Sequence, residues 1–323
     1  MTKGIIHAYT INESGAGEVL SGVGISKAIK DKRLAWVHLD ANDPEARQWL
    51  QKEITYLDHI IVDALLEEET RPRILEFEKG AMMILRGVNL NEKARPEDMV
   101  SIRLWVDASR IISVQRRKLK AVEDIRLHLE NGDGPKNSGD FIAMLTAHLL
   151  ERMEPVFSDI DEQLDDVEEM ILETPDTAER KLINAIRKQA IIFRRYVAPQ
   201  RDVIAHLRTS DLPWLDVTHK RRLQENLDRI IRYVEDLDTI RERAQIVKDE
   251  LSNALADKMN RNMYMLTIVA AIFLPLGFLT GLLGINVGGI PGVDNPHAFF
   301  IFAGMLGVVV LGQTFYFKWL KWF

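Results

Sequence analysis

At 323 residues the chain is long enough for two domains. Its 28% of charged residues is ordinary for a globular protein, while a net charge of −6 and the lack of any basic tract with interleaved aromatics exclude a general nucleic-acid binder. Cysteine is absent, which excludes disulfides, thiolate metal sites and cysteine nucleophiles together.

The first twenty residues hold no apolar core of signal-peptide length, so export is not expected. Segments 34–40 (LAWVHLD), 82–90 (MMILRGVNL), 101–107 (SIRLWVD) and 110–115 (RIISVQ) read as strands. Segments 43–51 and 58–68 read as helices, the first with Asp43 as N-cap and Pro44 at the first helical position. A further helix over 118–130 ends at NGDGP. Residues 1–135 are therefore expected to form an α/β domain. It contains no GxGxxG, P-loop or HExxH. His38 with Asp40, and Asp58 with His59, are pairs without a third partner, so no catalytic site is expected and the chain does not read as an enzyme.

Beyond Gly139 the pattern is helical. Two long helices, 140–173 and 176–208, are separated at Thr174 and Pro175, and Pro199 is expected to kink the second. The first ends in DIDEQLDDVEEMILE, with carboxylates at Asp159, Asp161, Glu162, Asp165, Asp166, Glu168, Glu169 and Glu173. This is either a solvated face paired with Arg180, Lys181, Arg187 and Lys188, or a field that concentrates cations. From Thr218 apolar residues recur in steps of three and four, from Leu223 through Leu227, Ile230, Val234, Leu237, Ile240, Ala244, Val247 and Leu251 to Ala254. One helix over 218–283 fits this pattern; a break near Ser252, Asn253 and Asn260 is the alternative. Residues 136–261 thus read as a helical hairpin and stalk.

From Asn262 to Phe317 there is no Lys, Arg or Glu, and the only titratable groups besides two tyrosines are Asp294 and His297. Segments 264–283 and 298–317 each span about 30 Å as helix, a bilayer core, with a short loop 284–297 between them. Lys258 and Arg261 precede the first span, Lys318 and Lys321 follow the second, and the loop has neither residue type. The positive-inside rule then puts both termini in the cytoplasm, with Tyr316, Trp319 and Trp322 at the interface.

Two spans cannot enclose a polar path alone, so a pore requires several copies. Continuing the three-and-four steps gives a stripe of Met263, Leu266, Ala270, Leu274 and Gly277, either pore-lining or ordinary packing. At its outer end Gly284, Ile285 and Asn286 are followed by Gly288 and Gly289 in the outer loop. A ring of uncharged Asn286 amides and glycine-exposed carbonyls would hold a hydrated cation.

FLPLGFLTGLLGIN (273–286) on a two-span hairpin resembles the signature of the CorA metal-ion transporter superfamily. The hallmark of that family is Gly-Met-Asn; here Ile285 replaces the methionine. The following VGGIPG (287–292), with ETRPR (69–73) and RRYVAPQRDV (194–203), is similar to the zinc-transporting ZntB branch. The resemblance implies an α+β membrane protein: a homopentamer with a cytosolic α/β funnel, a long stalk helix continuing as the inner pore helix, and an outer second helix. It also implies a place in the cytoplasmic (inner) membrane and zinc as the transported divalent cation, with no cofactor. Zinc prefers His and Cys ligands. The membrane segment has one His and no Cys, and the remaining histidines (His7, His38, His59, His128, His148, His206, His219) show no HxxxH or HxH pair. Passage of a hydrated ion at Asn286, rather than direct zinc coordination, is the expectation. A magnesium, cobalt or nickel channel, and a non-transporting coiled-coil scaffold, are the alternatives. The spans offer no side-chain proton relay, so coupling to a proton gradient points to His297 and Asp294 in the loop.

Overall fold

The computed structural model describes all residues except 1–3, 32, 55, 69–70, 174–175, 285–291, 293 and 320–323. The chain divides into two compact units, Met1–Asp249 and Glu250–Phe323.

The first unit is built on a seven-stranded sheet. Its strands are β1 (Ile5–Ile11), β2 (Gly17–Val19), β3 (Ala35–Asp40), β4 (Arg73–Glu76), β5 (Gly80–Gly87), β6 (Val100–Asp107) and β7 (Arg110–Gln115). The order is β2-β1-β3-β7-β6-β5-β4, with β3 and β7 parallel and the other neighbours antiparallel. Strand β5 is buried on both faces, which is why it reads as a continuous apolar run rather than an alternation.

One face packs on α1 (Val23–Lys30), α2 (Pro44–Glu53) and α3 (His59–Leu66). Ile29, Leu50 and Leu65 meet Val37, Met82, Ile84, Ile112 and Val114 there. Each such side chain contributes roughly 1.5–3 kcal/mol relative to exposure. Asp43 caps α2 by accepting from the Glu45 amide at 2.8 Å, and Asp58 caps α3 by accepting from Ile60 at 3.0 Å. The Asp58 and His59 pair is therefore a helix start, with His59 Nδ1 2.9 Å from the capping carboxylate.

The opposite face carries α4 (Lys120–Asn131), which ends at left-handed Gly132, and α5 (Ser138–Glu151). On that side Trp36 Nε1 donates to Ser113 Oγ at 2.8 Å, and Ser113 Oγ lies 2.7 Å from His38 Nδ1. All three are almost wholly buried, so His38 is a core residue and not half of a pair with Asp40.

Four elements were not legible in the pattern: β1, β2, α1 and β4. The helix expected over 140–173 is two, α5 and α6 (Glu154–Glu173), interrupted at Arg152 and Met153. Pro155 accounts for the position of the restart: it stands in the first turn of α6, where its missing N–H would have no helical partner in any case. The expected break at Thr174 and Pro175 lies outside the described residues. Helix α7 (Glu179–Thr209) includes Pro199. Helix α8 (Val217–Gly284) is one element of 68 residues, without the break considered near Ser252.

The apolar stripe of α8 is spent inside the first unit. Leu223, Ile230, Leu237 and Ala244 are fully buried. Phe157 of α6 sits edge-on to both Phe193 of α7 and Tyr233 of α8, with centroids 5.1 and 5.4 Å away. Asn226 Nδ2 donates to Thr146 Oγ1 of α5 at 2.8 Å.

Candidate ion-conduction site

In the second unit, the end of α8 and α9 (Ala298–Trp319) are, among the described residues, the two helices long and apolar enough to cross a membrane, and they contain the expected windows 264–283 and 298–317. One face of each is partly covered. On α8 it is Ile268, Ala271, Ile272, Pro275, Leu276 and Leu279; on α9 it is Phe302, Leu306, Val309, Val310 and Gln313, with Phe317 buried. At about 100° per residue the stripe of Met263, Leu266, Ala270, Leu274 and Gly277 falls roughly opposite the covered face of α8. All five are exposed in the single chain.

Pro275 removes one backbone donor from the middle of this segment. The carbonyl it leaves unpaired is that of Ala271, four residues earlier. Gln313 of α9 reaches across and brings Nε2 to 3.5 Å from that oxygen. In an apolar medium an unmatched carbonyl costs several kcal/mol, so polar contact between the helices falls where the helix itself fails. Thr267 and Thr280 consume their hydroxyls within α8, donating to the Met263 and Leu276 carbonyls at 2.8 and 2.9 Å. The expected stripe did not include Gln313. Its signal was available: it is the one amide side chain in an otherwise apolar second span.

Gly284 is the last residue of α8. Ile285, Asn286, Gly288 and Gly289 lie outside the described residues. A Cβ added at Gly277, Gly281 or Gly284 would meet nothing within 4 Å in one chain. At the start of α9, Asn295 Oδ1 accepts from the His297 amide at 2.9 Å, forming an Asx turn. Asp294 and His297 are both exposed.

The acidic stretch has a partner that spacing did not reveal. Arg243 of α8 donates to Asp161 at 2.9 Å, to Glu168 at 2.8 Å, and to Asp165. Hydrogen bonds from Glu168 and Asp165 hold its guanidinium even more firmly protonated than usual. Among the described residues, Arg180, Lys181, Arg187 and Lys188 form no ion pair with the stretch. Burial, then the nearby Asp161, raises the Asp236 carboxyl above its ordinary range. The histidines, scattered in sequence, pair in space: His7 stacks on His38 at 6.1 Å and His128 on His148 at 5.4 Å. No group of three or more His, Asp or Glu able to hold a metal occurs among the described residues.

An α/β unit and two bilayer-length helices, with no fixed charge on the exposed face of the first, fit the class of two-span membrane proteins. The family described as CorA-like Mg2+ transporter protein matches residues 31–319. The structure of full-length CmaX superposes with a TM-score of 0.86 at 39% identity, covering 100% of this chain and 99% of that one. The divalent cation transporter CmaX of Pseudomonas aeruginosa is 39% identical over 99% of this chain and 97% of its own length. The zinc transport protein ZntB of Pectobacterium atrosepticum is 37% identical over 99% of this chain and 96% of its own. The CorA magnesium transporter of Methanocaldococcus jannaschii shares the fold, with a TM-score of 0.79 at 18% identity over 97% of this chain and 98% of that one. The chain belongs to the CorA-like Mg2+ transporter family. It is a divalent-cation transporter of the CorA and ZntB type and not an enzyme.

Proposed function

We propose that the chain carries zinc across the cytoplasmic (inner) membrane through the axis of a homopentamer. Both termini lie in the cytoplasm, with an α/β domain over 1–135, a helical hairpin and stalk over 136–261 and a transmembrane hairpin over 262–323. The observation that carries the reading is the exposed, uncharged face of α8 opposite α9, holding Met263, Leu266, Ala270, Leu274 and Gly277. One hairpin cannot close a path around that face, whereas several copies place it on a common axis. Five copies is the number that the family resemblance implies, and the zinc transport protein ZntB supports the choice of ion.

The lumen offers no group that would replace a water shell around zinc, because no His, Asp or Glu lies on the stripe. The ion therefore passes hydrated, and Gly284, Ile285 and Asn286 supply the polar ring at the outer mouth. Any stimulation by a proton gradient acts at the ends of the path, where Asp294 and His297 stand outside the spans. The second reading, a magnesium, cobalt or nickel channel, is favoured by the Mg2+ description of the family and by the broader name of CmaX. Flux into liposomes, measured for Zn2+, Mg2+, Ni2+ and Co2+ with and without a pH gradient, tests both. Zinc flux that exceeds the others and rises with an inward proton gradient is expected. Magnesium flux that exceeds zinc and ignores the gradient would establish the second reading.

A further inference from the structure

Far along the chain from the hairpin, three neighbouring rows of the sheet change character within one step of each other in register. Met82 and Ile84 of β5, Trp105 of β6, and Ile112 and Val114 of β7 face the core under α1, α2 and α3. Two residues further along each row, the same face carries Arg86, Arg103 and Arg116. The register pairs Arg103 with Ile84 on one side and Val114 on the other, so the three guanidinium groups come from adjacent strands.

Arg103 is 0% exposed. One nitrogen, Nη2, donates to the Glu68 carbonyl at 3.0 Å, while Nε and Nη1 are buried and have no partner among the described residues. Arg116 donates from Nη2 to the Leu66 carbonyl at 2.8 Å, and its buried Nε has no partner there either. Buried donors are nearly always matched, so three orphaned ones in a single cluster point to a missing acceptor. Burial lowers the Arg103 pKa to about 10, and the neighbouring Arg116 and Arg86 add to the shift.

A cleft of about 750 Å3 opens beside this cluster, lined among others by Arg71, Arg86, Arg116, Arg117 and Arg195. Arg71 and Arg117 are exposed and make no ion pair or hydrogen bond among the described residues. Of the acids on the rim, Glu97 and Asp98 face Arg95 at 3.8 and 3.4 Å, and Glu68 is 3.7 Å from Arg116. The volume suits a small molecule. Forked guanidinium groups in this number match the oxygens of a phosphate, which they bind through charge-assisted pairs.

We propose that this cleft binds a soluble phosphate compound, its phosphate seated among Arg71, Arg116 and Arg117 with Arg103 adding charge from beneath. The site lies within the first unit and makes the α/β domain a receiver of a small anion, a role separate from carrying the cation. Glu69, which precedes Arg71 by two positions, lies outside the described residues.

The test is calorimetric titration of the full-length protein in detergent, in metal-free buffer, with inorganic phosphate and separately with ATP, at low and high salt. Binding of at least one of them by the wild type is expected. It should weaken at least ten-fold in the Arg71→Ala/Arg117→Ala double variant, whose exposed positions leave the fold intact, and also fall at high salt. Binding of ATP alone would mark a nucleotide site, and equal binding of both a phosphate site; either supports the proposal. No binding of either anion, or equal binding by the double variant, overturns it. So does binding that emerges only in Glu69→Gln, because the chain would then fill the cleft itself.

Discussion

Gln313 Nε2 stands 3.5 Å from the carbonyl oxygen of Ala271, the acceptor that Pro275 leaves without a donor in α8. The proline and the glutamine are thus one device distributed over two helices. If so, Gln313→Leu should destabilise the hairpin by roughly 0.5–2 kcal/mol in the wild-type background. In Pro275→Ala, where residue 275 regains its N–H, the same change should cost little. A double-mutant cycle on thermal unfolding in detergent measures this, and equal costs in the two backgrounds would show that the two residues are not coupled.

The Arg243 cluster makes a prediction about stability. Arg243→Met leaves Asp161, Asp165 and Glu168 without their shared cation. The pairs are partly exposed, so a loss of about 1–2 kcal/mol is expected rather than the larger cost of a fully buried ion pair. The difference from wild type should shrink in high salt. A melting temperature indifferent to this substitution would mean that the three carboxylates are screened by solvent alone.

Acid should act through His38. Burial lowers its pKa to about 4 in the folded chain, below the ordinary value of about 6.5 that the unfolded chain shows. Between those values the unfolded state holds more protons, so the stability present above pH 6.5 is lost as pH falls toward 4. One such group contributes a slope of roughly 1.4 kcal/mol per pH unit in that window. His38→Gln should flatten the decline of thermal stability between pH 6.5 and 4, and a slope unchanged from wild type would place the acid sensitivity elsewhere.

The proposed lumen is open to direct chemical mapping, because the chain has no cysteine of its own. In the proteoliposome, Leu266→Cys and Leu274→Cys should react with a membrane-impermeant, charged thiol reagent and lose flux. Val308→Cys and Leu311→Cys, on the exposed face of α9, should be unaffected. Reaction at the α9 positions together with protection of those on α8 would reverse the roles of the two helices.

If Asn286 stands at the outer mouth as proposed, Asn286→Ala should abolish or derange uptake while the assembly still forms, as read by flux and by size-exclusion chromatography. Flux at the wild-type level in that variant would remove Asn286 from the path.

Much of this was visible in the sequence, and the omissions share a physical cause. The 3–4 stepping of α8 survived because a helix buries one face over many turns and repeats its signal. Strand β1 hides its alternation behind a register irregularity between Ile5 and His7. β2 spans three residues and β4 is a largely exposed edge, so neither shows a buried face to a pattern search. Pro155 did announce the break between α5 and α6, and was outweighed by the apolar periodicity around it. At the candidate site the stripe followed from spacing, whereas the Arg243 contacts and the Gln313 contact join residues 42 to 82 positions apart. Local spacing carries no information about such pairs.

The apolar seam of α8 from Leu223 to Val247 closes against its own chain, not against a neighbour's. A newly made copy therefore has a finished interior before it meets any other, and partners choose each other by surface and not by shared folding. Sound and damaged copies should be equally acceptable recruits. If the transporter is the ring of copies proposed above, a cell producing both would hold mostly mixed rings, and a single faulty residue at the proposed mouth would spoil far more transporters than its own share of the protein.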